Sequence, residues 1–200
     1  MPTLRKPSAD AVRAFLAAQA ELPFTYPDVG ATAAEPPPGW TVDRTRARVG
    51  TGPGAFAAAK AALARWEQFR LGWVEAAPAG APLAPGACVA VLARVLGLWW
   101  LNACRVVYTV DEETRFGFAY GTLPGHAESG EERFLVEWDR ASGAVWYDIV
   151  AFSRPRSPLA RLGYPLARRT QKRFARDSVA AMRRAVGGTH LSSPRRGGTA

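Results

Sequence analysis

Residues 98–122 read LWWLNACRVVYTVDEETRFGFAYGT. One parity of the first half carries Leu98, Trp100, Asn102, Cys104, Val106, Tyr108 and Val110, and only Asn102 among them is strongly polar. Alternate side chains of a strand point to opposite faces, so this period argues for β-structure. Asp111–Thr114 supplies turn residues, and Phe116, Phe118, Tyr120 and Thr122 then repeat the pattern. Two such runs joined by a short polar link read as an antiparallel hairpin.

The pattern extends outward in both directions. ACVAVLARVL (87–96) precedes the hairpin; ERFLVEW (132–138), a DRASG turn and AVWYDIVAFS (144–153) follow it. Five strands with mostly tight links make an antiparallel meander. WTVDRTRARV (40–49) is polar and β-branched, as suits a sixth strand at an exposed edge.

Helical spacing appears in three places. SADAVRAFLAAQAEL (8–22) has Ser8 placed to cap and Val12, Phe15, Leu16 and Leu22 on one face. FAAAKAALARWEQFRLGW (56–73) repeats Phe56, Ala59, Leu63 and Trp66, and APAGAPLAPG (77–86) then reads as a loop. A long helix begins near Pro165, with Leu166, Thr170, Phe174, Ala181 and Ala185 on one face and Arg168, Lys172, Arg176 and Arg183 on another. Residues 23–39, rich in Pro and Gly, form an irregular arm that Phe24 and Tyr26 can fasten to the body.

The expected organisation is an N-terminal helix and arm (1–39), one α+β domain (40–186) and a disordered tail (187–200). The fold class is α+β: a curved antiparallel sheet of about six strands packed on a long C-terminal helix, with space for a ligand between them.

Composition excludes several classes. Seven tryptophans in 200 residues must fill a core or line a cavity. No run approaches the ~20 apolar residues of a membrane span, and the N-terminus lacks the apolar stretch of a secretion signal. Cys88 and Cys104 make no disulfide framework, and with His126 and His190 they lack zinc-ligand spacing. The expectation is therefore a cytoplasmic protein with no metal and no cofactor. The net charge of +9 is uneven: residues 1–150 hold 14 Lys and Arg against 16 Asp and Glu (−2), and residues 151–200 hold 12 against 1 (+11). An electrostatic partner would meet the last quarter, and weak, salt-sensitive contact with an anionic membrane follows from the basic helix face. No specific nucleic-acid binding is expected, since no recognised motif is present and aromatics do not interleave with these cations.

YGTLPGHAESGEERF (120–134), VWYDIVAFSRP (145–155), GYP (163–165) and QKRFARDS (171–178) occur in that order. Together they resemble the bacterial and plant family catalogued as domain of unknown function 1990, from about Trp40 to Val186. The order of elements also resembles the helix-grip superfamily of START domains and pollen allergens, although the chain reads one strand short of it. That likeness implies an apolar molecule held between sheet and helix.

The stretch 120–134 carries the candidate chemistry. His126 can act as a general base with Glu128, Glu131 or Glu132 orienting it. Strand alternation lets only one of Glu131 and Glu132 face a cavity. Arg105, Arg115 or Arg133 can neutralise these carboxylates, and the glycines 121, 125 and 130 permit sharp turns. The bland alternative is hairpin geometry with ion pairs. Tyr120, Trp146 and Tyr147 need partners for their polar tips, Asn102 is an amide on an apolar face, and Thr122 and Phe174 complete the ligand-facing set.

GTGPGA (50–55) matches a loose dinucleotide fingerprint, but the strand before it is charged and no second βα unit follows. Ser129 lies in ESGE, outside any nucleophile-elbow motif. Three readings remain: a binding module for a small apolar or lipid-like ligand; a cyclase-, hydrolase- or isomerase-type enzyme using His126 with a glutamate in the same cavity; and a peripheral interaction protein using the basic helix.

Overall fold

The computed structural model describes residues 2–156 and 163–189. Its frame is one seven-stranded antiparallel sheet. In chain order the elements are α1 (Ala9–Gln19), β1 (Thr41–Thr51), α2 (Gly52–Ala64), β2 (Val74–Ala77), β3 (Cys88–Val95), β4 (Leu98–Asp111), β5 (Arg115–Thr122), β6 (Glu128–Trp138), β7 (Ala144–Pro155) and α3 (Tyr164–Thr189). The strands lie side by side as β1-β7-β6-β5-β4-β3-β2. The meander from β3 to β7 is thus continuous, β1 closes one edge, and α2 carries the chain across to β2 at the other.

The seventh strand is one that the sequence pattern does not announce. Residues 56–73 were expected to be a single helix. Instead α2 starts at Gly52 and ends at Ala64, and Trp66 adopts a left-handed conformation with φ 59°. The Trp66 indole turns into the core, donating Nε1–H to the Ala81 carbonyl at 2.7 Å and meeting Phe118 edge-on at 4.7 Å. Burying that ring offsets the helical hydrogen bonds given up. One turn of 3-10 helix (Glu67–Phe69) then leads into β2, whose four residues are too few to display a period.

The sheet is covered on both faces. Its inner face packs against α2 and α3 around Phe69, Phe118, Phe134, Tyr147 and Met182. Its outer face receives α1, where Val12 and Leu16 meet Ala90 and Leu92. Ser8 caps α1 as expected, accepting the Ala11 amide at 3.2 Å. The helix stops at Gln19, so Leu22 leaves the apolar face and is exposed. Arg105 of β4 closes the helix end by bonding the carbonyls of Gln19, Ala20 and Leu22, where a cation suits the helix dipole.

One β-bulge changes the expected faces of β4. Val106 pairs with Tyr120 and Tyr108 with Ala119, so Val107 is inserted and the alternation flips. Tyr108 therefore leaves the face of Cys104 and bonds Thr32 of the arm at 2.8 Å on the outer side. At the C-terminus α3 runs to Thr189, beyond the expected limit of 186. The rest of the expected tail, with His190, lies outside the described residues.

The arm is tied down by Glu131. Its buried carboxylate accepts Tyr26 Oη–H (2.7 Å), Gly30 N–H (2.7 Å), Thr32 N–H (3.0 Å) and the Thr32 hydroxyl. Two glycines of the 120–134 stretch serve close approach: a Cβ at Gly121 would lie 2.0 Å from Tyr26 Oη, and one at Gly125 2.5 Å from Phe15 Cζ. Glu131→Ala leaves several donors without their acceptor, so we expect a loss of about 3 kcal/mol in urea unfolding. Proteolysis within 27–39 should also accelerate, and an arm that stays resistant to protease would contradict this latch.

Candidate functional site

The two halves of α3 sit differently on the sheet. In the second half Ser178, Val179, Met182 and Val186 are buried, and Ser178 Oγ lies 2.9 Å from Tyr147 Oη. The first half, Thr170–Arg176, forms one wall of a cavity of about 550 Å³. The opposite wall is the inner sheet face, from Asp43 and Thr45 of β1 to Val91 and Ala93 of β3. Phe69, Trp73, Val74 and Phe174 make one side apolar.

Polar groups gather at the β6 end. On β6, Glu128, Gly130, Glu132 and Phe134 share the inner face, while Glu131 and Arg133 take the outer one, as alternation requires. Glu132 lies opposite Tyr120 on β5 and accepts its Oη–H at 2.7 Å. Burial, together with the nearby carboxylates of Glu128 and Asp43, raises the Glu132 pKa to about 7, against the hydrogen bond from Tyr120. Glu128 is also raised by burial, although Gln171 Nε2 of α3 donates to it at 2.7 Å. Desolvation drives the Tyr120 hydroxyl well above its usual range.

His126 lines the cavity without a carboxylate partner. The Glu128 backbone N–H donates to Nδ1 at 2.9 Å, which leaves the neutral ring's proton on Nε2. Burial lowers its pKa to about 4. The expected His–Glu pair is therefore absent among the described contacts, and the ring is neutral at physiological pH. The three arginines expected to neutralise the glutamates are engaged elsewhere. Arg105 caps α1, Arg115 pairs with Glu112 and Arg133 with Asp148.

Among the other ligand-facing candidates, Asn102, Thr122 and Phe174 line the cavity with Tyr120 and His126. Asn102 Oδ1 accepts the Ala127 amide at 3.2 Å, and Thr122 Oγ1 the Gly130 amide at 3.0 Å, so both also shape the link between β5 and β6. Trp146 and Tyr147 lie outside the cavity. Trp146 is on the outer face, beneath the Arg46 guanidinium at 5.1 Å, and Tyr147 is fully buried under the second half of α3. The sequence reading missed Gln171, Asp43 and Trp73. Gln171 sits in the QKRFARDS stretch with nothing local to mark it, and Asp43 belongs to a charged segment whose pattern suits an exposed edge.

The basic stripe of α3 is partly consumed. Arg168 binds both Asp43 carboxylate oxygens, and Arg183 Nε donates to the Arg48 carbonyl at 3.1 Å. Lys172 and Arg176 stay exposed at the rim of the cavity. No described helix is long and apolar enough to cross a membrane. Among the described residues no three His, Cys, Asp or Glu side chains gather as metal ligands.

A curled antiparallel sheet gripping a long C-terminal helix, with a hollow under one half of that helix, defines the helix-grip class. The chain belongs to the family described as "Domain of unknown function (DUF1990)", whose model matches residues 25–181 and so takes in the arm from Thr25. It is 42% identical over 196 residues to a UPF0548 protein of Deinococcus radiodurans, covering 92% of this chain and 98% of that one. A UPF0548 protein of Dictyostelium discoideum is 36% identical over 204 residues, covering 92% and 94%. Among solved structures, TTHA0849 from Thermus thermophilus superposes with a TM-score of 0.50 at 14% identity, covering 76% of this chain and all of that one (100%).

The two shifted groups act on stability in opposite pH windows. The folded pKa of His126, about 4, lies below its ordinary 6.5, so its contribution is present above 6.5 and lost as pH falls toward 4. Glu132 is raised from 4.5 to about 7, so the folded state is favoured below 4.5 and loses stability as pH rises through 7. Glu132→Gln should therefore raise the unfolding free energy near neutral to mildly alkaline pH by up to about 3 kcal/mol, with little gain in acid. Equal effects in both windows, measured by urea unfolding, would refute a buried, raised carboxyl.

Proposed function

We propose that this protein binds a small, largely apolar molecule between the sheet and the first half of α3. The observation that supports it is the cavity: about 550 Å³, apolar along Phe69, Trp73 and Phe174, with Tyr120, Glu132, Glu128 and His126 converging at one end. Small-molecule sites commonly have this size and this division of lining. The apolar side supplies affinity and the polar end fixes orientation. Trp73 is a natural reporter, since its indole forms part of the wall and its Nε1–H is held by Asp177 at 3.1 Å.

Ala151 pairs with both Asp43 and Glu132, which places its side chain on the inner face at the cavity wall. Ala151→Phe fills part of the space. The neutral probe N-phenyl-1-naphthylamine should gain fluorescence with the unaltered protein and bind at least about tenfold more weakly to this variant, a loss of about 1.4 kcal/mol. Ala141→Phe, in the exposed β6–β7 turn, is the control. Undiminished binding to a folded Ala151→Phe protein would remove the cavity as the site.

A second reading rests on Glu132. A carboxyl with a pKa near 7 in an apolar cavity is suited to proton transfer at neutral pH. In this reading the acid–base group is Glu132, and His126, neutral and bonded to backbone, shapes the turn. A reaction in this cavity would follow one ionisation near pH 7 and be abolished by Glu132→Gln, while His126→Asn would leave its pH profile in place.

A further inference from the structure

The cavity's polar end carries an imbalance of charge. Of three carboxylates at its wall, Asp43 is bound by Arg168, while Glu128 and Glu132 form no ion pair among the described residues. Glu132 accepts one neutral donor on Oε2, from Tyr120, and Glu128 accepts only the neutral donors Gln171 and Ser153. Placing unpaired carboxyls against apolar walls is costly. The cavity cations, Lys172, Arg176 and Arg44, are exposed to solvent at its rim, where water screens them.

We propose that the ligand is an organic cation: an amphiphile whose ammonium group seats on the Glu132 carboxylate, within the field of Glu128, with its apolar body along Phe69, Trp73 and Phe174. This rests on the cavity reading above and adds the ligand's charge to it. An ammonium supplies what both glutamates lack, a charged hydrogen-bond donor. A carboxylate or phosphate head would meet two carboxyl groups, and the nearby cation, Arg168, is already bound to Asp43. His126 faces the same space as a neutral ring and does not oppose the charge.

Cation binding is coupled to the Glu132 proton. The groups facing this carboxyl are Tyr120 on β5, Cys104 on β4, Tyr147 on β7, Glu128 on β6 itself and Asp43 on β1. From α3 come Arg168, already bound to Asp43, Gln171, and Lys172 at the rim. Burial raises the tyrosine and thiol groups, so they stay neutral, and the proton exchanged near neutrality is that of Glu132. The ammonium binds the ionised form, and the proton leaves to buffer.

Calorimetric titration with decylammonium, decanol and decanoate tests the assignment. Near pH 8 the amine should bind at least about tenfold more tightly than the alcohol, and the carboxylate most weakly. Near pH 6, where Glu132 is mostly protonated, the amine's apparent dissociation constant should rise about tenfold and binding should release a proton. Glu132→Gln, shown folded by circular dichroism, should abolish both the preference for amine and its pH dependence. Decanoate binding as tightly as the amine, or an amine preference that survives in Glu132→Gln, overturns the cation assignment and leaves the cavity reading standing. Failure of all three probes to bind overturns both.

Discussion

The structure depends on the unequal seating of α3. Its second half is pinned where Ser178 meets the Tyr147 hydroxyl and Met182 and Val186 enter the core. Its first half is held at a distance by polar spacers. Arg168 reaches Asp43, Gln171 reaches Glu128, and the Tyr164 hydroxyl bonds Thr41 Oγ1 at 2.8 Å. A long side chain on each side of such a contact keeps backbones apart, whereas Ala181 and Met182 let them approach. The cavity therefore follows from where α3 changes from charged and amide contacts to small and apolar ones.

That arrangement has an energetic consequence. A helix pressed down along its whole length would bury more apolar area at ~25 cal/mol per Å². Instead the fold keeps a hollow and places Glu132 and Glu128 at one end of it, both with pKa values raised by burial. Neither the hollow nor the buried acids help the protein stay folded. Stability comes from elsewhere. The aromatic cluster of Phe69, Phe118, Phe134 and Phe174 and the Glu131-anchored arm hold the sheet from its two faces. Sacrificing local stability at a cavity while reinforcing its surroundings is the pattern expected of a site.

Much of this was legible from residue order. The alternation in 98–122 and 132–153 gives the meander, and the charged 40–49 segment lies at an edge because its outward side chains are charged and its partner lies on one side only. The 120–134 stretch drew attention to Tyr120, His126 and the glutamates, and parity required Glu131 and Glu132 to face opposite ways without saying which of them faces the cavity. What stayed hidden depends on contacts distant in sequence. The Val107 bulge, which turns Tyr108 outward, has no local signature. Trp66 breaks a helix that its neighbours favour, because Ala81 and Phe118 receive its ring. The polar tips of Trp146 and Tyr147 suggest a place beside a ligand for both, but adjacent strand residues cannot share a face. One meets Arg46 outside, and the other meets Ser178 in the core.

Glu131 and Glu132 also show how register assigns function in this fold. They are neighbours with the same side chain in the same strand. Glu131 meets two backbone amides and two hydroxyls of the arm, while Glu132 meets one phenol and a cavity. A slip of one residue would exchange them, since strand period is two, and would leave a carboxylate without its donors on the outer face. Register is held against that slip by steps the pairing cannot vary freely. A Cβ at Gly130 would lie 1.9 Å from the Phe152 carbonyl oxygen, and one at Gly117 2.2 Å from that of Phe134. Any other residue brought to either position by a slip would collide with backbone. Gly130 and Gly117 thus act on the site indirectly: they fix which glutamate faces the cavity and which faces the arm.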